Sequence, residues 1–237
     1  MKLHRTVDNC TKFIQTLLYP RRCLLCGAPG DDGMDLCRAC RGELPHNPVA
    51  CRLCGLPLTA YSDGICGECQ QHPPPLDGAI IPFRYAPPLD HLLLGLKFGQ
   101  QLPSGLLLGR LMADAIGERS GPLPDAILPV PLHTSRLRER GYNQALELAL
   151  PIADRLGIEL LNRQVVRVKA TTAQSSLEKG ARRKNIKGAF AVRGKLPDQI
   201  AILDDVVTTG STVYELARSL RRAGVKRVEV WACARVP

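Results

Sequence analysis

Aromatic side chains are scarce in this sequence, which has 4 Phe, 5 Tyr and 1 Trp among 237 residues. Any core must therefore be aliphatic, and the 45% share of hydrophobic residues is enough to build one. Long apolar runs are also lacking, whereas a membrane helix needs about 20 apolar residues, so no membrane span is expected. The N-terminal segment has neither a continuous apolar stretch nor a small-residue cleavage site. We therefore expect no signal peptide and a cytoplasmic protein.

Acidic residues are too few to balance the basic ones, and the excess lies in the C-terminal third. The net charge is +10, and residues 161–237 alone have 16 Lys or Arg against 6 Asp or Glu. Within this third, residues 163–195 hold ten basic residues and one acid, Glu178. Two interpretations stay open: a solvated basic face, or a surface that binds the phosphates of a small ligand or of a nucleic acid.

Eight of the ten cysteines form Cys-x-x-Cys pairs, a spacing that lets two thiolates bind one ion. The pairs are Cys23 with Cys26, Cys37 with Cys40, Cys51 with Cys54, and Cys66 with Cys69. Four sulfurs complete a tetrahedron around zinc, so we predict two structural Zn²⁺ sites. Four disulfides in a secreted domain are the alternative, but they would require a signal peptide. Pairing of ligands in sequence order is favoured over a cross-brace because the link 41–50 is short.

Proline marks the expected domain boundary. Residues 1–20 are predicted as an N-terminal segment, residues 21–72 as a double zinc ribbon, and residues 76–237 as a second domain. The run Pro73–Pro75 is expected to be extended and to hold the ribbons away from that domain. The two unpaired cysteines, Cys10 and Cys233, are expected to be small buried or neutral thiols.

Strand and helix patterns alternate after residue 76. The predicted strands cover residues 79–85, 126–130, 164–168, 200–204 and 227–234. The predicted helices cover residues 89–98, 102–119, 143–156 and 211–223. Strands that are separated by helices need crossover connections. The sequence therefore predicts an α/β domain with a mostly parallel sheet flanked by helices.

The segment Ala201-Ile-Leu-Asp-Asp-Val-Val-Thr-Thr-Gly-Ser-Thr-Val213 carries the most specific chemical signal. An apolar strand ends in two carboxylates, a loop of small residues follows, and a helix begins. Backbone N–H groups at a helix N-terminus favour a phosphate. The carboxylates of Asp204 and Asp205 can accept hydrogen bonds from the vicinal hydroxyls of a sugar. A simple helix cap with solvated aspartates is the alternative.

This segment resembles the phosphoribosyl pyrophosphate (PRPP) signature of type I phosphoribosyltransferases. The resemblance implies that fold, PRPP binding with Mg²⁺, and contacts of Asp204 and Asp205 with the ribose 2′ and 3′ hydroxyls, where catalysis takes place. It also implies that the 5′-phosphate is wrapped by Thr208, Thr209, Gly210, Ser211 and Thr212.

Further motifs extend the resemblance to the ComF (ComFC) family, including GntX-like members with a double zinc ribbon. The motifs are Arg138-Glu-Arg-Gly-Tyr-Asn-Gln144, Tyr85, Leu96-Lys-Phe98, Arg183, Asn185 and Gly188-Ala-Phe190. The resemblance covers nearly the whole chain, from Cys23 to Arg235. It implies an association with competence and DNA uptake, with single-stranded DNA and competence-machinery proteins as candidate partners.

The family fold also suggests where the remaining PRPP contacts lie. The expected pyrophosphate loop contains Leu132, His133, Thr134, Arg136, Arg138 and Arg140. Guanidinium groups can bind phosphate oxygens in bidentate fashion, although these arginines could instead cap the next helix. His133 is expected to be a loop residue rather than a catalytic base. The expected flexible loop carries Lys169, Arg182, Arg183 and Lys184.

Three functions are compatible with these patterns. The favoured one is a phosphoribosyltransferase, a pentosyl-transferring enzyme, with an unidentified acceptor. The second is a competence factor that binds single-stranded DNA through the basic segment and the ribbons. The third is a PRPP-sensing regulator that does not turn PRPP over. Two intact carboxylates and a complete loop favour PRPP binding in all three cases.

Overall fold

The computed structural model describes residues 20–59, 64–170 and 186–237. The chain divides into two compact units, with the boundary between Leu44 and Pro45. The described part of the first unit contains the first two cysteine pairs and one short helix, α1 (Arg38–Gly42). The second unit contains the other two pairs and the whole α/β domain.

The second unit alternates strands and helices, as the sequence predicts. Its described helices are α2 (Gly67–Gln71), α3 (Leu89–Phe98), α4 (Leu102–Gly117), α5 (Thr134–Arg140), α6 (Gln144–Leu156) and α7 (Ser211–Arg222). Its described strands are β1 (Gly78–Ile80), β2 (Phe83–Arg84), β3 (Ala126–Pro129), β4 (Glu159–Leu160), β5 (Val165–Arg167), β6 (Phe190–Val192), β7 (Gln199–Val207) and β8 (Arg227–Arg235).

Six strands form one sheet in the order β1-β8-β7-β3-β4, with β2 also paired to β8, and every pairing is parallel. The longest strands, β7 and β8, pair in the middle of the sheet. Strands β5 and β6 form a separate antiparallel pair. The predicted fold class, a mostly parallel sheet flanked by helices after the cysteine clusters, is confirmed.

The core is aliphatic, as the scarcity of aromatic residues predicts. Strand β3 is buried along its whole length, and β8 is buried from Val228 onward. Among the described residues, Phe83 and Phe190 are buried aromatic exceptions, and Trp231 is fully buried in β8. Its indole N–H donates to the buried Glu229 carboxylate at 3.2 Å, and Arg119 binds the same carboxylate in bidentate fashion at 2.9 and 3.0 Å. This ion pair satisfies the polar groups beside the central strands.

Several elements differ from the expectations. The predicted strand 79–85 is divided into β1 and β2, which both pair with β8. The predicted strand 200–204 continues to Val207, because β8 pairs with β7 along almost its whole length. The short helices α1, α2 and α5 and the short strands β4 and β6 were not predicted, since none is long enough to show periodicity.

The second ribbon is not held away from the α/β domain, so the expected role of Pro73–Pro75 as a spacer is wrong for it. The buried Asn47 side chain donates to the carbonyls of Gly55 and Ile81 at 2.9 and 3.1 Å. The Ala79 N–H donates to the Arg52 carbonyl at 2.7 Å, so ribbon and sheet share hydrogen bonds. The predicted limits of ribbon and domain, 21–72 and 76–237, stay predictions.

Helices α4 and α6 approach each other closely at Gly109. A Cβ atom on Gly109 would lie 2.3 Å from Pro151 Cγ and 2.6 Å from the Leu148 carbonyl oxygen. We therefore expect Gly109→Ala to lower the free energy of unfolding by about 1–3 kcal/mol. Gly117→Ala in the same helix is the matched control, because its Cβ would be 3.9 Å from its nearest neighbour. Chemical denaturation measures both, and equal stabilities would show that the helix contact is not tight.

Candidate functional site

The first unit gathers four cysteine sulfurs, Cys23, Cys26, Cys37 and Cys40, within 4.8 Å of one another. The Sγ atoms of Cys26 and Cys37 are 3.7 Å apart. Four sulfurs at about 2.3 Å from a tetrahedral zinc ion would be separated by nearly this distance, whereas disulfide sulfurs are about 2.05 Å apart. Cys37 also caps α1 and accepts a hydrogen bond from the Cys40 N–H. These residues fit a structural zinc ion.

The second unit repeats this arrangement with Cys51, Cys54, Cys66 and Cys69, which are all buried. The Sγ atoms of Cys54 and Cys66 are again 3.7 Å apart. Burial raises the pKa of the Cys51 thiol, but the N–H groups of Cys66, Leu53 and Cys54 outweigh it and lower that pKa to about 7. The two predicted four-cysteine sites are thus confirmed, with ligands paired in sequence order rather than as a cross-brace.

Of the two remaining cysteines only Cys233 is described, and it is not a member of either four-cysteine cluster. Cys233 lies in β8 and is fully buried, and burial raises the pKa of its thiol. It is therefore a small apolar core residue, as expected. Cys10 lies outside the described residues.

Strand β7 carries the predicted acid pair. Asp204 and Asp205 lie within the strand near its C-terminal end, and Val206 and Val207 separate them from the loop. Burial, and next the charge of Asp205, raise the pKa of Asp204 well above its usual range. Lys97 at the end of α3 faces the pair, with its Nζ 3.8 Å from Asp205 Oδ2. The oxygens of these two adjacent carboxyl groups can bind a metal ion or accept hydrogen bonds from hydroxyl groups.

The loop that follows β7 is shaped by Gly210. This residue has a φ of 74°, a left-handed conformation that favours glycine, and a Cβ here would lie 2.4 Å from the Tyr214 ring. The loop then enters α7 at Ser211, whose hydroxyl is 2.8 Å from the Thr209 hydroxyl. A cavity of about 40 Å³ is lined by Asp204 and residues 206–213. This volume suits a compact group such as a phosphoryl group, and helical N–H groups face such a site.

The second ribbon is bonded to the base of this loop through Arg235. The guanidinium of this buried residue donates to the Cys54 carbonyl at 3.1 Å and to the Val207 carbonyl at 3.1 Å, and also to the Thr208 carbonyl. Tyr214 of α7 lies on the same side: burial, and next the thiols of Cys54 and Cys69, raise the pKa of its hydroxyl. The second metal centre and the loop therefore share one set of contacts.

The predicted pyrophosphate arginines lie on the short helix α5 and diverge. Arg136 lies near Arg167, a half-buried residue of β5 that is also within electrostatic range of Asp204. Arg140 instead packs over the Phe98 ring, 5.5 Å from its centroid. Arg138 is exposed. Arg136 therefore lies on the Arg167 side of the acid pair, whereas Arg140 lies over the ring that Lys97, the ion-pair partner of Asp205, also approaches.

The other residues of the predicted pyrophosphate loop lie between β3 and α5. Leu132 and His133 precede the helix, and Thr134 is its first residue. His133 caps α5 by accepting a hydrogen bond from the Ser135 N–H at 3.3 Å. His133 thus lies in the loop before α5, as expected.

Arg167 and Lys97 were missed as site residues. Burial, and next the charge of Arg136, lower the pKa of Arg167, while Asp204 raises it. Its guanidinium also lies 5.7 Å from the Phe190 ring centroid. A basic residue in an otherwise apolar strand was the available signal for Arg167, and its position beside Asp204 depends on the hairpin of β5 and β6.

Only one residue of the predicted flexible loop is described. Lys169 Nζ donates to the Lys187 carbonyl at 2.7 Å, which joins the two ends of the segment that leaves β5 and returns to β6. The other residues of that prediction, Arg182, Arg183 and Lys184, lie outside the described residues.

Comparisons with known proteins match a domain family in the N-terminal part of the chain and match relatives along most of its length. The family described as "Double zinc ribbon domain" matches residues 14–70. The "DNA utilization protein YhgH" of Salmonella typhi is 38% identical over 227 residues, which are 92% of this chain and 99% of the relative. "Competence protein F" of Haemophilus influenzae is 38% identical over 208 residues, 84% of this chain and 90% of that protein.

More distant similarities are weaker. "Competence protein ComFC" of Bacillus subtilis is 24% identical over 201 residues, 80% of this chain and 79% of the relative. The solved structure of Leishmania donovani UMP synthase is 21% identical, with a TM-score of 0.32, and covers 59% of this chain and 22% of that one. This last likeness is too weak to add to the description of the site. Among the described residues, no helix has the length and apolar character that crossing a bilayer requires.

Proposed function

This chain belongs to the ComF family of competence and DNA-utilization proteins, and from that premise we propose that its α/β domain binds PRPP with Mg²⁺ and transfers the phosphoribosyl group to an acceptor. One observation carries the proposal. Two carboxylates near the carboxyl end of the central strand lie next to a small cavity. The cavity is lined by the loop that contains Gly210 and leads into a 12-residue helix. Such crevices beyond the ends of parallel strands are where ligands of α/β domains bind.

Each group of PRPP has a matching set of side chains in this proposal. The ribose 2′ and 3′ hydroxyls donate to Asp204 and Asp205. The 5′-phosphate accepts hydrogen bonds from the loop at Thr208, Thr209, Gly210, Ser211 and Thr212. Arg136 and Arg167 neutralise the pyrophosphate, with residues 132–134 at its side and Lys169 at the edge. The predicted contacts of Arg138, Arg140, Arg182, Arg183 and Lys184 with PRPP stay predictions.

Magnesium suits this donor set because it prefers hard oxygen ligands and is usually held by one or two carboxylates together with substrate phosphates. Asp204 and Asp205 would hold it, and it would neutralise charge that develops on the leaving pyrophosphate. This chain's own part is to orient the ribose and to keep cations beside the pyrophosphate. In the transfer, an acceptor atom forms a bond to C1′ as the C1′–O bond breaks, pyrophosphate leaves with the electron pair, and the acceptor's proton goes to water.

Single-stranded DNA binding is the second candidate function, and the charge of residues 163–195 favours it. Ten basic residues against one acid exceed what one pyrophosphate and one 5′-phosphate need. The names of the relatives, which speak of DNA utilization and competence, also support partners of this kind.

A non-catalytic PRPP sensor remains the third function. Zinc sites built from four reduced cysteines suit a cytoplasmic location.

We expect calorimetry to detect PRPP binding in the presence of Mg²⁺, and PRPP to raise the melting temperature through linkage. Pyrophosphate release with a panel of acceptors distinguishes an enzyme from a sensor. Single-strand binding at several salt concentrations tests the second function, with a slope of about −0.7 in log affinity per neutralised phosphate. A protein that binds no PRPP at millimolar concentration would contradict the proposal.

A further inference from the structure

Phe98 is exposed in a chain that has few aromatic residues. Its side chain is 70% exposed, although it is the last residue of α3, whose other face contributes the buried Leu89, Leu92, Leu93 and Leu96 to the core. An exposed ring of this size adds nothing to the core. Its surroundings therefore decide whether it has another role.

Two cations lie beside this ring, and they come from different elements. Lys97 Nζ is 6.0 Å from the ring centroid, and the Arg140 guanidinium carbon is 5.5 Å from it. The Tyr142 hydroxyl donates to the Leu96 carbonyl, which fastens the chain after α5 to the end of α3. The ring and the two cations over it together form one surface, here called the Phe98 platform (Lys97, Phe98 and Arg140).

The platform adjoins the acid pair. The same Lys97 ammonium that faces the ring also lies 3.8 Å from Asp205 Oδ2. Asp205 is also within electrostatic range of the Tyr85 hydroxyl and helps to raise its pKa, after burial and Asp90. The Lys97 ammonium is therefore close both to the exposed ring and to the carboxylates that the proposed function assigns to the ribose.

We propose that the Phe98 platform binds a nucleobase, which stacks on the ring while Lys97 and Arg140 donate to its exocyclic oxygens or ring nitrogens. Stacking on an aromatic ring is available to every base, and Arg and Lys are the usual donors to base oxygens. The inference rests on the proposed function for its position beside the ribose. The base is either a free acceptor of the phosphoribosyl group or a base within a single strand.

The variant that tests this inference is Phe98→Leu, which keeps an apolar side chain but removes the π face. Leu94→Ala is the matched control, because Leu94 is also an exposed apolar residue of α3. Phe98→Trp is the conservative variant, which keeps an aromatic face and should therefore keep binding. The probes are 2-aminopurine as the free base and a short oligo(dT) that carries one 2-aminopurine, since stacking quenches its fluorescence. Calorimetry with PRPP and Mg²⁺ is run on the same proteins.

We expect Phe98→Leu to weaken binding of a 2-aminopurine probe by about tenfold or more, and Leu94→Ala and Phe98→Trp to bind like wild type. PRPP affinity should be unchanged in all three variants. Binding of the free base that PRPP strengthens supports the acceptor, and binding of the oligonucleotide alone supports the strand.

Two outcomes would overturn the platform: neither probe binds the wild-type protein, or Phe98→Leu binds as tightly as Leu94→Ala. The proposed function fails separately, if the wild-type protein does not bind PRPP.

Discussion

Replacing both carboxylates, Asp204→Asn with Asp205→Asn, is expected to weaken PRPP binding by about two to four orders of magnitude. Each charge-assisted hydrogen bond is worth roughly 1.5–3 kcal/mol, and about 1.4 kcal/mol corresponds to a factor of ten. Asn keeps the size of each side chain and one acceptor oxygen but removes the charge that the ribose hydroxyls and Mg²⁺ require. Calorimetry with PRPP and Mg²⁺ measures the loss.

The same variant is not expected to unfold the protein. Burial and the neighbouring Asp205 raise the pKa of Asp204, so the folded state resists its ionisation. A carboxyl group whose folded pKa is raised binds more protons in the folded than in the unfolded state. Its contribution to stability therefore falls as the pH rises from the unfolded Asp value of about 4 through the raised folded value. The stability of the Asn variant should not fall with rising pH in this way. Its melting temperature near neutral pH should therefore equal or exceed that of the wild type.

The control for the double variant removes two carboxyl groups at the N-terminal end of β7, opposite to the end that carries Asp204 and Asp205. Asp198 pairs with Lys226, and Asp125 accepts from the Gln199 N–H at the start of β7. Asp125→Asn with Asp198→Asn makes the same change of net charge but should leave PRPP affinity unchanged. Equal affinities for wild type and Asp204→Asn/Asp205→Asn would show that the acid pair is not the ribose site.

The parts of this molecule that were predictable from sequence are those written in contiguous residues. Cys-x-x-Cys spacing indicated both metal centres, and sequence-order pairing followed from a short link between the ribbons. Helix α3 has the predicted bounds, because its apolar period and Gly99 define both the buried face and the end. The acid pair and the loop after it were found together because β7 and α7 place them within one thirteen-residue stretch.

The rest of the site depends on residues that are distant in sequence. Arg167 comes near Asp204 only because β5 and β6 form a hairpin. Lys97 reaches Asp205 from a helix more than a hundred residues earlier, and no local pattern marks such a pair. Arg136 and Arg140 are four residues apart on α5 and so share one face of it, and their different neighbours, Arg167 and Phe98, come from elements distant in sequence.

Loss of the second metal centre is expected to weaken PRPP binding as well as to remove one zinc ion. Wild-type protein kept from chelators should contain two zinc ions per chain. The variant Cys69→Ser removes one ligand of the second site and leaves the Cys51–Cys54 turn intact in sequence. Without the metal, that turn loses the ion that its two sulfurs bind and that fixes it, and zinc ribbons depend on the ion for folding. Arg235 then loses the Cys54 carbonyl, which it contacts at 3.1 Å.

The consequence should reach the loop, because the same guanidinium holds the Val207 and Thr208 carbonyls. A hydrogen bond to a charged group contributes roughly 1.5–3 kcal/mol, so PRPP affinity should fall about tenfold or more. Arg235→Lys should have a similar effect without loss of zinc, since one ammonium does not reproduce the planar fork of donors.

Cys40→Ser is the matched control for the metal centre, since Cys40 is the fourth ligand of the first site and belongs to the other compact unit. It should also lose one zinc ion but keep wild-type PRPP affinity. Elemental analysis counts the zinc, circular dichroism confirms that the α/β domain is folded, and calorimetry gives the affinity. If Cys69→Ser and Cys40→Ser bind PRPP equally well, the contacts of Arg235 do not link the second ribbon to the loop. If only Cys69→Ser and Arg235→Lys are weakened, the second ribbon is part of the ligand site and not only a folding unit.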